Sequence, residues 1–233
     1  MIDFSMAIKR PFTDLKKLVI GAILYLVPIV NFLVLGYGLR CAKTAMKKDY
    51  ALPEWTEWGD LFVKGLLLVV IDIVYMIPFV VISALLVGGS FAVAEGEAAL
   101  ATAGGGFLIS MLVLLLTVYV LPSAMMSFVE SDYKLEAAFR IGDIVKKAFK
   151  ADYFVVFVAM GVYSIALCAV LFIIWTVVTM IISIVGTFIP VIGAIIAALV
   201  SLILLAIFAM LAGFMVIVTP MTAYGELYPT LHA

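Results

Sequence analysis

The chain has 233 residues, of which 67% are hydrophobic and 12% charged, with a formal net charge of -1. A soluble domain is about 45–50% apolar and about 25% charged, and the mean hydropathy of +1.32 lies far on the membrane side of that. This composition excludes a soluble enzyme, a disordered chain and, with no basic excess, a nucleic-acid-binding module.

Residues 1–17 open the chain with Phe4, Ile8 and Leu15 interleaved with Lys9, Arg10, Lys16 and Lys17, which predicts a short interfacial segment. No short apolar region followed by a small-residue cleavage site precedes it, so no cleaved signal peptide is expected. A hydrocarbon core of about 30 Å needs about 20 helical residues. The run Leu18–Leu39 is long enough, but Pro28 and Asn31 interrupt it. It is read as an N-terminal re-entrant hairpin bent at Pro28–Asn31, or as a fifth span. Four longer runs follow at Val63–Val87, Phe107–Val129, Tyr153–Val185 and Val191–Val218. The expected fold is therefore all-α: one polytopic helical membrane domain, 1–233. Tyr153–Val185 would be about 50 Å long as one helix, so it must tilt, kink or protrude. Its partner follows after a turn at Gly186–Pro190; residues 153–218 can also be read as three short elements.

All fourteen Lys and Arg residues fall within 1–17, 40–64 and 134–150, whereas 88–106 carries Glu95 and Glu97 and no cation. The positive-inside rule then puts the basic segments and the tail 219–233 in the cytoplasm. The hairpin reading of 18–39 keeps all fourteen on that side; a span would export four. Gly88-Gly89 and Gly104-Gly105-Gly106 mark 88–106 as a flexible external loop.

Two interfacial segments are expected. In 40–62, Pro53 and Glu54 suit a helix start, with Trp55, Trp58 and Phe62 on one stripe as a headgroup anchor and Glu54, Glu57 and Asp60 on another. In 130–152, Leu135, Phe139, Gly142, Val145 and Phe149 form the apolar stripe of an amphipathic helix whose cations suit an anionic leaflet.

Several of these motifs resemble a known family. Gly36-Tyr37-Gly38-Leu39-Arg40, Leu52-Pro53-Glu54-Trp55, Trp58-Gly59-Asp60-Leu61-Phe62, Pro28-Ile29-Val30-Asn31-Phe32 and Tyr75-Met76-Ile77-Pro78 are similar to prokaryotic, mainly archaeal, membrane proteins catalogued as domain of unknown function 4013. The resemblance is sharpest over residues 11–80. It implies a multi-pass membrane protein and supplies no catalytic residue.

Few groups could carry chemistry. Asp72 sits about 12 Å beyond Lys64 along a helix, near the expected midplane, where a carboxylate costs about 2.5–3.5 kcal/mol. With Asn31 as a polar neighbour it is a candidate proton- or cation-coupling site; the structural alternative is a protonated Asp bonded to another helix or subunit. Tyr-x-x-Pro occurs at Tyr25/Pro28, Tyr75/Pro78 and Tyr119/Pro122, where the prolines are expected to kink helices and free the carbonyls of Leu24, Val74 and Val118. The pairs Gly193/Ala197, Ala194/Ala198 and Ala209/Gly213 permit close helix packing, within the chain or between copies. Cys41 and Cys168 are expected as free thiols, and the lone His232 builds no zinc site or triad. No cofactor or metal is expected, nor an enzyme. The leading expectation is a lipid-interacting or scaffolding component of the cytoplasmic membrane, forming homo-oligomers or joining other membrane subunits. The alternative is a small-solute or ion transporter or channel subunit using Asp72.

Overall fold

A computed structural model describes residues 3–93, 95–186 and 192–232. All secondary structure among the described residues is helical: α1 (Phe4–Lys9), α2 (Leu15–Leu26), α3 (Asn31–Met46), α4 (Trp58–Ser83), α5 (Gly89–Val93), α6 (Gly96–Glu130), α7 (Ile141–Ala148), α8 (Ala151–Gly186) and α9 (Ile192–Leu227). Four stretches are long and apolar enough to cross a membrane, at Trp58–Ala92, Gly96–Glu130, Ala151–Gly186 and Ile192–Leu231.

Three spans extend past both expected ends and the fourth past its C-terminal end, and the reasons are local. The expected loop 88–106 is almost entirely helix, because α4 runs through a π-helical turn (Ala84–Gly88) into α5, and α6 already begins at Gly96. Alanines with high helix propensity fill this stretch and carry the helix through its glycines. Gly106 is used for contact: a Cβ there would come within 2.8 Å of the Leu86 carbonyl. Likewise 219–227 is no tail but the last part of α9, followed by a 3₁₀ turn (Tyr228–His232). Pro220 sits inside this helix, where buried neighbours offset the lost hydrogen bond. Beyond Gly186, the expected connection Gly186–Pro190 lies outside the described residues.

Within Leu18–Leu39 the chain forms two helices. Asp14 caps α2 by accepting from the Lys17 N–H, and α2 stops at Leu26 just before Pro28. Ile29 adopts φ 71° in the turn before α3, and Pro28 therefore ends a helix rather than kinking one. Helix α3 runs on to Met46, beyond the expected boundary at Leu39.

α3 is the central strut. It packs against α4 on one side and α9 on the other, while α4 pairs with α6 and α8 with α9. Glycines set its approach: a Cβ on Gly36 or Gly65 would overlap the backbone of Leu61 or Phe32, and one on Gly225 the backbone of Ala42. The main buried cluster joins Leu39 and Ala42 of α3 to Leu68, Ala124, Phe128, Tyr153 and Tyr224. Above it the helices lose company. In α8 the buried residues are Tyr153, Val156 and Met160, all in the first three turns. In α9 none is buried between Ala197 and Phe214.

Candidate functional site

Arg10 organises the basic end of the molecule. It is inaccessible to solvent and lies in a short 3₁₀ turn (Arg10–Phe12) shaped by Pro11. Its guanidinium donates to the Cys41 carbonyl (2.7 Å), the Thr222 hydroxyl (3.1 Å), the Ala51 carbonyl (2.9 Å) and the Thr44 hydroxyl. One side chain thus ties the N-terminal segment to the end of α3, the following loop and α9. Its acceptors are dipoles rather than a carboxylate, and the planar fork of arginine can reach several at once. Phe4, Ile8 and Leu15 do not share the face of one helix, because α1 ends at Lys9 and α2 begins at Leu15. The residues that turn inward are Ala7, Arg10 and Pro11, whereas Leu15 is 67% exposed.

The aromatic stripe at 55–62 is also rearranged. Residues 49–57 are non-helical, and α4 begins at Trp58 after Glu57 in the left-handed region (φ 55°). Trp55 is buried, stacks on Tyr37 at 3.9 Å between centroids, and donates its Nε1–H to the Lys17 carbonyl at 3.1 Å. The Tyr37 hydroxyl closes the loop by donating to Pro53 at 2.8 Å. Trp58 remains 45% exposed, and Phe62 packs on Phe32. The expected acidic face is spent on cations: Glu54 pairs with Lys17 (2.8 Å), Glu57 and Asp60 with Arg40 (2.9 and 3.3 Å), and Asp60 with Lys64 (2.7 Å).

Segment 130–152 is a 3₁₀ turn (Leu135–Phe139) followed by α7, not one helix. It folds back along α6 with Ala137, Ala138, Ile144 and Ala148 buried, while Gly142 and Phe149 face outward. Backbone hydrogen bonding decides this stripe. Ser127, Ser123 and Tyr119 of α6 donate to the carbonyls of Ala137, Ile144 and Ala148, and Tyr75 of α4 donates to Ala138. Two of the three Tyr-x-x-Pro tyrosines therefore fasten this segment. Their prolines, Pro78 and Pro122, lie inside α4 and α6.

At the same end, Lys43 caps α6 by donating to the Val129 carbonyl at 3.0 Å and pairs with Asp132 at 2.7 Å. That hydrogen bond holds the Asp132 carboxyl below the usual carboxylate range. Lys64 lies over the Tyr133 ring at 3.9 Å. These contacts, with the Arg10 bonds and a hydrogen bond from Lys150 to the Leu231 carbonyl, gather the three basic segments at one end of the bundle.

Asp72 lies on α4 with Oδ1 buried and without a hydrogen-bond partner. No hydrogen bond joins it to Asn31, the first residue of α3. Tyr75, one turn further along, reaches the carbonyl of Ala138 in the basic-end segment. From Asp72 to Ala92 the helix still rises about 30 Å, a full hydrocarbon thickness.

Of the small residues, Gly193, Ala197 and Gly213 meet neighbours within the chain, whereas Ala194 and Ala198 are exposed. Gly193 faces the backbone of Gly186, with Ala197 beside it. Gly213 accepts the ring of Tyr25, while Ala209 is exposed along the α8–α9 seam.

The fold and these contacts define a polytopic helical membrane protein with a cross-linked basic end. A family model described as "Protein of unknown function (DUF4013)" matches residues 20–175, and the chain belongs to that family. No curated protein and no solved structure matches it. The matched region holds Cys41, Thr44 and Ala51 but ends before Thr222 and begins after Arg10.

Proposed function

We propose that this is a non-enzymatic, lipid-interacting and scaffolding protein of the cytoplasmic membrane, with its basic end and the end of α9 in the cytoplasm. One observation carries the reading: the hydroxyls of Ser110 and Thr117 in α6 and of Ser164 and Thr179 in α8 turn back onto their own helices, and apolar side chains around them face outward. Ser110 donates to the Gly106 carbonyl, Thr117 to Val113, Ser164 to Met160 and Thr179 to Trp175. A hydroxyl satisfied this way offers little to a passing ion, and the span surface becomes suited to acyl chains. Among the described residues the outer parts of α8 and α9 pack chiefly on each other, which leaves surface for lipids, a second copy or another membrane subunit. Native mass spectrometry of the protein released from membranes tests this. Phospholipid retained after repeated detergent washing supports the reading; a lipid-free monomer under all gentle conditions overturns it.

The buried, unpartnered Oδ1 of Asp72 favours a second reading, a transporter or channel subunit in which that carboxyl titrates. Proton flux into proteoliposomes that disappears in Asp72→Asn would support it, and absence of flux in the unmodified protein would dismiss it.

A further inference from the structure

Two cavities at the basic end meet at one residue. The first, about 500 Å³, lies between the end of α6, α7 and the turn after α9. Arg140, Lys146, Lys147 and Lys150 line it together with Glu130 and Asp143, so cations exceed anions by two (four against two). Lys147 and Lys150 are set by structure: Lys147 pairs with Glu130 at 3.3 Å and lies over the Tyr228 ring, and Lys150 donates to the Leu231 carbonyl at 2.7 Å. Arg140 is exposed, as is Lys146, and neither makes an ion pair among the described residues. The second cavity, about 570 Å³, is an apolar groove on the membrane side, lined by Leu115, Leu116 and Tyr119 of α6 and by Phe149 and Phe154. Lys150 lines both cavities. Leu115, Leu116, Phe149 and Phe154 are each more than half exposed, so the groove opens sideways.

We infer that the two cavities form one site for an anionic phospholipid of the cytoplasmic leaflet. Its phosphate occupies the basic cavity, an acyl chain lies in the groove, and Lys150 sits at the junction. The inference rests on the lipid-interacting reading and gives it an address and a headgroup charge. Charge complementarity selects the occupant: a phosphodiester matches the net positive lining, and the apolar groove begins where a glycerol backbone would leave it. A zwitterionic headgroup brings its own cation toward Arg140 and Lys146 and loses this advantage. A free phosphate would leave the groove unused.

The test uses the full chain in detergent and measures binding of phosphatidylglycerol, phosphatidylcholine and inorganic phosphate by native mass spectrometry and competition. Unmodified protein is expected to retain phosphatidylglycerol in preference to phosphatidylcholine. Arg140→Gln with Lys146→Gln should weaken phosphatidylglycerol about tenfold or more, since each cation near the surface contributes. The control Lys9→Gln with Lys16→Gln, which removes the same charge elsewhere at this end, should change binding by less than about twofold. Leu116→Trp, which fills the groove from an exposed position, should weaken the lipid as well; protection of the buried Cys41 thiol from a reactive dye, in a Cys168→Ser background, checks that each variant is folded. Lipid retention without headgroup preference, or without loss in the Arg140/Lys146 variant, overturns the site but leaves the lipid-interacting reading standing. Inorganic phosphate competing as well as the lipid does, with Leu116→Trp silent, overturns the acyl-chain half. Retention of no lipid by unmodified protein overturns both readings together.

Discussion

At the basic end, Arg10, Tyr37, Phe128 and Tyr153 are fully buried, and hydrogen bonds cross between elements that are far apart in sequence. At the outer end, α8 has no buried residue beyond Met160 among those described, and its polar groups bond chiefly within their own helix. The difference follows from the two solvents. Near water, loops and helix ends expose backbone groups that need partners, and side chains supply them. In lipid a helix satisfies its own backbone, and burying apolar surface against another helix gains little because acyl chains are equally apolar. Tertiary specificity therefore concentrates where the chain meets water.

The comparison is broken most severely at Arg10. Arg10→Ala would take the guanidinium donor from the Ala51 carbonyl, unlink Thr44 and Thr222, and leave a cavity, for an expected loss of about 3–5 kcal/mol. Arg10→Lys keeps the charge but not the fork and should lose about half of that. Thermal unfolding followed by dye reaction at Cys41, in a Cys168→Ser background, reads both. Equal stability of Arg10→Ala and the parent would refute the staple.

Next come the glycines. Gly36→Val or Gly65→Val drives a side chain into the backbone of Leu61 or Phe32, for an expected cost of about 1–3 kcal/mol or more. Gly161→Ala, in α8 where an added Cβ meets nothing, should stay within about 1 kcal/mol of the parent. Similar losses at both places would erase the distinction between the ends.

Trp55→Phe tests one hydrogen bond and part of a stack. It should cost about 1–2 kcal/mol and loosen the loop 49–57, measured as faster amide exchange there. The smallest effect is electrostatic. Because the folded Asp132 carboxyl titrates below its ordinary range, its contribution is present above the unfolded value and is lost as pH falls through the folded one. Asp132→Asn should therefore lower stability slightly at neutral pH and converge with the parent in acid, where the parent carboxyl is protonated, so that its acid limb is shallower. Parallel acid limbs for the two proteins would show that the Lys43 pair contributes nothing.

The spans were legible because about 20 consecutive apolar residues have few alternatives to crossing a bilayer. Their ends were not. Alanine and glycine in 92–106 read as loop by composition and as helix by propensity, and the packing of Gly106 on Leu86 favours the helix. Pro53 and Glu54 carried the signature of a helix start, but stacking of Trp55 on Tyr37 draws that segment away from helical geometry. Among fourteen cations, nothing local distinguished Arg10. The nearest signal was Pro11, which rigidifies the turn, while the partners Cys41, Ala51 and Thr222 are remote in the chain.

Hydrophobic run length and charge segregation, properties of local composition, were enough to specify helices, number of long spans and a single basic end. Which side chains are buried there, and which cation serves as a staple rather than a surface charge, came only from the tertiary structure. Those outcomes depend on carbonyls, hydroxyls and rings contributed by elements as far as 212 residues apart, and no period or propensity within a window can register them.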